Sequence, residues 1–235
     1  MARKTDKQGL SNRADPAQTP ALRRQSDEAQ AAPPAKARRT ASGDFPLAGY
    51  EILLCVTGGI AAYKAADLAS KLVQEGCGLT VAMTEGGERF IAPLTFQTLS
   101  GRKVYTSLWE STEDYSSRHI SLTERADLMI VAPATADIIA KMAVGIADDL
   151  VATMALAAHG ACGILIAPAM NARMWSAPAT MRNLDLLKKR RVHVVGPGEG
   201  NLACGTVGLG RMAEPAEILA AARKLLTANP PKARS

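Results

Sequence analysis

Aromatic residues are scarce in this sequence, with three Phe, two Trp and four Tyr among 235 residues. A core must therefore be built from Ala, Leu, Ile, Val and Met, which favours helices on a mostly parallel sheet over an aromatic-rich sandwich or barrel. Cysteine is scarce too. The four thiols, at 55, 77, 162 and 204, form no CxxC pair and no disulfide or zinc spacing, so neither a disulfide scaffold nor a metal site is expected. Cys55 and Cys162 lie in apolar runs and read as small buried hydrophobes, whereas Cys204 stands among glycines on a polar stretch. No apolar run reaches the roughly 18–20 residues of a membrane span, and no signal-peptide core follows the start. These absences point away from a membrane and toward a reducing, cytoplasmic setting.

Charge of one sign is also less abundant than the formal +6 suggests. Nine Lys/Arg and five Asp/Glu fall in residues 1–44, leaving +2 for the rest of the chain. There is no dense basic stripe with interleaved aromatics, so no nucleic-acid partner is expected. The first 48 residues are rich in Ala, Pro, Arg, Gln and Ser without any period, and are expected to form a disordered basic arm. Residues 229–235 are expected to form a disordered tail, which leaves one domain over 49–228.

Within that domain short apolar runs alternate with helical spacing. Strands are predicted at 51–56, 79–84, 127–135, 163–170 and 192–197, and helices at 60–74, 90–101, 136–143, 148–158, 178–189 and 215–226. Residues 198–210 read as a Gly-rich loop. Apolar rather than alternating strands fit a parallel sheet covered on both faces: a doubly wound, open α/β sandwich, Rossmann-like or flavodoxin-like, with helices on both faces. Such sheets bind ligands beyond the C-terminal ends of their strands. Thr57-Gly58-Gly59, Thr84-Glu85-Gly86-Gly87, Pro133-Ala134-Thr135-Ala136-Asp137 and Pro168-Ala169-Met170-Asn171 all follow strands, and should meet at one edge.

The first of these turns sets backbone N–H groups and a helix start beside two glycines, which suits a phosphate. It lacks the third glycine of GxGxxG and the GK[ST] of a Walker loop, so it asks for less than a dinucleotide. No acid pair, metal triad or Ser-His-Asp set emerges. His119 is isolated in SSRHISL, and His159 and His193 read as structural. The residues alone support an α/β protein that binds a phosphorylated cofactor.

PAMNARMW (168–175), His119 and ACGTVGLGRMAEP (203–215) carry something more specific. Over about 50–226 the chain resembles the homo-oligomeric flavin-containing cysteine decarboxylases, and most of all their phosphopantothenoylcysteine branch. The first block matches that family's Pro-x-Met-Asn-x-x-Met-Trp signature at every defined position. The resemblance implies FMN as cofactor, with Gly58, Gly59 and Ile60 at its phosphate and Thr84 nearby. Thr135, Ala136, Asp137 and Ile138 would line the flavin, and Ala169 would approach it. Asp137 stands where some relatives have Asn.

His119, Asn171 and Cys204 are implied as catalytic residues, with Asn171, Met174 and Cys204 contacting substrate. The implied reaction converts 4′-phosphopantothenoylcysteine to 4′-phosphopantetheine in coenzyme A synthesis, through a thioaldehyde and an ene-thiolate. Family members assemble as trimers or dodecamers, and many continue into a phosphopantothenate–cysteine ligase, which the resemblance places on a separate protein or a missing segment here. Peptidyl-cysteine decarboxylases lack the flap cysteine, and flavin prenyltransferases lack the PAMN signature. Relatives that regulate phosphatases depend on acidic tails and often lose the asparagine or cysteine, which this chain keeps.

Overall fold

The computed structural model describes residues 45–109, 118–201, 205 and 207–234. Its centre is a parallel sheet of β1 (Glu51–Val56), β2 (Gly78–Met83), β3 (Val104–Tyr105), β4 (Leu128–Ala134), β5 (Gly163–Pro168) and β6 (His193–Val194), in the order β3-β2-β1-β4-β5-β6. This is the Rossmann order; without the two-residue edge strand β3, the remaining five follow the flavodoxin order. In both descriptions the order reverses between β1 and β4. Connections leave in opposite directions there and open a crevice at the strands' C-terminal ends.

Alternate residues of β1 feed the two faces of the sheet. Ile52, Leu54 and Val56 join one core with α1 (Ala62–Gln74), Phe96 of α3 (Pro93–Ser100) and α9 (Pro215–Leu226). Leu53 and Cys55 join the other, with α5 (Ala136–Val144), α6 (Leu150–Ala157) and α8 (Pro178–Lys189). In α1 the buried Ala62, Ala65, Leu68, Ala69 and Leu72 recur at helical spacing. Local chemistry stops and starts the helices where the sequence suggests: Pro93, Pro178 and Pro215 open theirs, and Gly101, at φ 66°, closes α3 in the left-handed region.

Several short elements differ from expectation. The Gly-rich loop of 198–210 holds an antiparallel pair, β7 (Gly198–Asn201) and β8 (Val207–Arg211). Of the strand expected at 192–197 only His193 and Val194 pair with the sheet, because the chain turns away toward that hairpin. Three helices, α2 (Glu85–Glu88), α4 (Arg118–Arg125) and α7 (Ala172–Trp175), fall outside the predicted ones. Each spans one or two turns, too short for a periodic signal.

Contacts also extend past the expected boundaries at 48 and 228. Leu47 is fully buried and its N–H donates to Glu75 O at 3.0 Å, so the fold reaches into the segment assigned to the arm. The tail is pinned at the N-terminal edge of the sheet. Lys232 Nζ donates to the carbonyls of Glu124, Ala126 and Ala161 at 2.9, 2.6 and 2.7 Å, groups set free where α4 and α6 end. Lys232 N–H and the Arg234 guanidinium both bond Asp127. Among the described residues no helix is long and apolar enough to cross a membrane.

Candidate active site

A cavity of about 910 Å³ opens where β1, β2, β4 and β5 end, within the roughly 300–1,000 Å³ of ligand clefts. Gly58, Gly59, Ile60, Thr84, Thr135, Ala136, Asp137, Ile138, Ala169, Asn171 and Met174 all line it. Every residue expected to hold the cofactor is thus in one place, together with two expected to hold substrate. Thr57 closes the crevice beneath them: its hydroxyl donates to Pro133 O at 2.7 Å, tying the end of β1 to the end of β4.

Close backbone approach explains the glycines. A Cβ on Gly58 would lie 2.8 Å from the carbonyl carbon of Gly86, and one on Gly87 would lie 2.6 Å from Val56 O. The turns after β1 and β2 therefore touch main chain to main chain. Thr84 caps α2 by accepting Gly87 N–H at 3.1 Å, and Thr135 caps α5 by accepting Ile138 N–H at 3.2 Å. The start of α1 is different: Ala61 stands at its N-cap, and no side chain caps it. An uncapped 13-residue helix opening onto the cavity beside two glycines offers backbone N–H groups and a positive dipole end to an anion. FMN, the group implied by the sequence, fits this arrangement: the uncapped turn would hold its phosphate, and the small Ala136 and Ala169 would leave room for a planar ring.

The wall formed by α5 and α6 is ionic. Lys141 Nζ lies 2.9 Å from Asp149, 3.0 Å from Asp148 and 3.4 Å from Asp137. Burial works against the Lys141 charge, but the hydrogen bonds it donates to Asp149 and Asp148 outweigh it and hold its pKa above the ordinary lysine range. The same hydrogen bond lowers the Asp148 carboxyl below its usual value. Asp137, expected along the flavin, lines the cavity with a side chain that is 72% exposed, and shares in this cluster.

The opposite wall joins the PAMN loop to β8. Asn171 Oδ1 accepts Arg173 N–H at 2.8 Å and so caps α7, which fixes the plane of its amide. Met170 N–H donates to Gly210 O at 2.9 Å. A Cβ on Gly210, whose φ is 143°, would lie 2.2 Å from Met170 O, so only glycine permits this contact. Lys64, from α1, and Arg211, from β8, complete this side of the cavity.

Two expected residues are not brought to this cavity by the described structure. His119 lies half-buried in the first turn of α4 and is not among the cavity's lining residues. Cys204 lies outside the described residues. The described thiols are poor nucleophiles: burial raises Cys55 well above the ordinary thiol range, pushes Cys77 up to about 12, and raises Cys162. Sequence reasoning missed Lys64, Lys141, Asp148, Asp149 and Arg211. Lys64 follows Ile60 by one helical turn, and Lys141 follows Asp137 by the same step, so helical spacing from the expected residues would have found both.

Residues 43–227 match the Flavoprotein family. Over 173 residues the chain is 50% identical to the coenzyme A biosynthesis bifunctional protein CoaBC of Bacillus subtilis (strain 168), covering 74% of this chain and 42% of that protein. Against the CoaBC of Escherichia coli (strain K12) the identity is 46%, with the same coverage. The chain thus spans about two-fifths of the length of these curated relatives. Among solved structures, a PPC decarboxylase mutant complexed with pantothenoylaminoethenethiol is similar at 29% identity and a TM-score of 0.66, covering 74% of this chain and 97% of that one. The FMN binding protein AtHal3 is similar at 28% identity and 0.68, covering 77% and 99%. The chain belongs to the Flavoprotein family.

Proposed function

We propose that this chain is an FMN-dependent decarboxylase that converts 4′-phosphopantothenoylcysteine to 4′-phosphopantetheine in coenzyme A synthesis. The observation that carries this reading is that the uncapped glycine turn and the Asn171–Met174 wall line one cavity. Gly58, Gly59, Ile60 and the start of α1 hold the cofactor phosphate, with Thr84 beside them. Thr135, Ala136, Asp137, Ile138 and Ala169 bound the ring. When bound, FMN supplies a two-electron acceptor that can also return the pair, the sink that a simple cysteinyl carboxylate lacks.

Asn171 clamps the substrate's carboxylate and adjacent amide, and its anchorage to Arg173 N–H spares the cost of ordering it on binding. Met174, half exposed at the rim, gives the substrate an apolar contact. His119 assists charge and proton movement at the carboxylate. Since His119 stands off the cavity of its own chain, a second copy delivers it, which agrees with a trimer or a dodecamer built from trimers. Cys204 donates the proton that, with the returned hydride, saturates the double bond of the ene-thiol and gives the product. A phosphopantothenate–cysteine ligase, on another protein or a further segment, supplies the substrate, and the reaction belongs in the reducing cytoplasm.

Anaerobic incubation of the purified protein with 4′-phosphopantothenoylcysteine tests this, with carbon dioxide, 4′-phosphopantetheine and the flavin spectrum followed together. We expect both products from wild type and neither from His119→Asn or Asn171→Ala, with FMN retained in all three. FMN-loaded wild type that leaves the substrate untouched would overturn the substrate and leave the fold and cofactor standing. Cysteine-terminated peptides would then be assayed next.

A further inference from the structure

At the side of the cavity two basic side chains meet at one carboxylate. Lys64, only 6% exposed, sends Nζ to Glu214 Oε1 at 2.9 Å and to Met212 O at 3.4 Å. The Arg211 guanidinium reaches the same Oε1 at 2.8 Å. Helix α1, strand β8 and the start of α9 are thereby joined at a single oxygen. A buried ammonium without a carboxylate partner is strongly unfavourable, so Lys64 holds Glu214 firmly even though the Glu214 side chain is half exposed. The Lys64 hydrogen bond accordingly holds the Glu214 carboxyl below its usual range.

One residue before Arg211, Gly210 O accepts Met170 N–H, in a contact that leaves no room for a side chain. Met170 immediately precedes Asn171. We propose that Glu214 is a positioning residue: by bridging Lys64 and Arg211 it holds β8 against the Ala169–Asn171 loop and so sets where the Asn171 amide stands in the cavity. This rests on the decarboxylase reading for the role of Asn171. A purely structural role is the competing account, because Glu214 and Glu217 form a capping box at the start of α9, with Glu214 N–H donating to the Glu217 side chain at 2.7 Å and the Glu214 side chain accepting from the Glu217 backbone. Glu217→Ala breaks the first of these bonds and leaves both ion pairs, so it serves as the control.

The test uses the full chain loaded with FMN, comparing wild type, Glu214→Gln and Glu217→Ala by hydrogen exchange and by steady-state kinetics with 4′-phosphopantothenoylcysteine. Glutamine keeps the size and an acceptor oxygen but loses the charge. We expect exchange at Met170 and across 208–211 to quicken about tenfold or more in Glu214→Gln. KM should rise by a similar factor, while kcat changes less than about threefold, the pattern of a lost ground-state contact. FMN affinity should stay within about twofold of wild type, whose turn is formed by other residues. Glu217→Ala should quicken exchange only at the start of α9 and leave KM unchanged. Wild-type exchange at Met170 in Glu214→Gln would overturn the proposal, as would an equal rise in KM in Glu217→Ala. If wild type itself does not turn over the substrate, the decarboxylase reading fails, and the exchange data alone still decide whether Glu214 holds β8 in place. Should Glu214→Gln not fold, Arg211→Met removes one of the two pairings, and unchanged exchange at Met170 in that variant would be equally fatal.

Discussion

At the N-terminal edge of the sheet, Asp127 gathers the N–H groups of Glu51 and Lys232 at 2.7 and 2.9 Å together with the Arg234 guanidinium, while Arg102 spans Glu51 and Thr80. At the C-terminal edge, the same strands run out into glycine turns around a cavity, and the start of α1 has no side-chain cap. One edge ties Asp127, Glu51 and the chain's end together within the chain; the other leaves the start of α1 uncapped for a ligand. The difference shows how a doubly wound sheet separates stability from binding: closure is concentrated at one end, so the other can stay open at little cost to the fold.

Substitutions can break this division from either end. The largest effect should come from Gly58→Val, whose side chain would press on the Gly86 backbone. FMN affinity should fall by at least about tenfold, read by fluorescence titration. Asp127→Ala attacks the other edge, leaving two backbone donors without their acceptor and the Arg234 guanidinium with only the carbonyls of Gly49 and Arg125. Chemical denaturation should show a loss of about 2–4 kcal/mol, with FMN affinity unchanged. If instead Gly58→Val costs mainly stability and Asp127→Ala mainly cofactor, the division is wrong.

The acid limb of the stability profile sharpens the same contrast. Asp148 and Glu214, both beside the cavity, have carboxyls lowered by lysine partners. A lowered carboxylate contributes stability that is fully present above its unfolded value and lost as pH falls through the folded one. Melting temperature should therefore hold steady down to about pH 4 and drop below it. Lys141→Met should flatten part of that drop, which a melting series in steps of pH would reveal. The smallest effect belongs to the arm. Removing residues 1–44 should leave the melting temperature unmoved, whereas removing 1–48 also takes the buried Leu47 and should cost about 2–5 kcal/mol.

Much of this was legible in the sequence because the signals were local. Apolar runs marked the long strands, Pro178 and Pro215 opened α8 and α9 where expected, and the glycine turns and PAMN block fell around one cavity. What stayed hidden depends on contacts distant in sequence. Lys232 is an ordinary lysine in a polar tail until the ends of α4 and α6 place three carbonyls around it. The β7–β8 pair hides because its glycines serve close approach to the PAMN loop and obscure any strand pattern. Lys64 and Glu214 meet across 150 positions, a pairing no window could reveal.

The caps at Thr84, Thr135 and Asn171 have a consequence for anyone who maps this cavity by mutation. Each of these side chains holds a helix start while facing the ligand space, so an alanine there performs two experiments at once. A fall in activity would mix a loosened wall with a missing contact, and the position would look more chemical than it is. Serine at 84 or 135 and aspartate at 171 keep the cap while altering the face presented to the ligand, and only such pairs of substitutions can assign the loss.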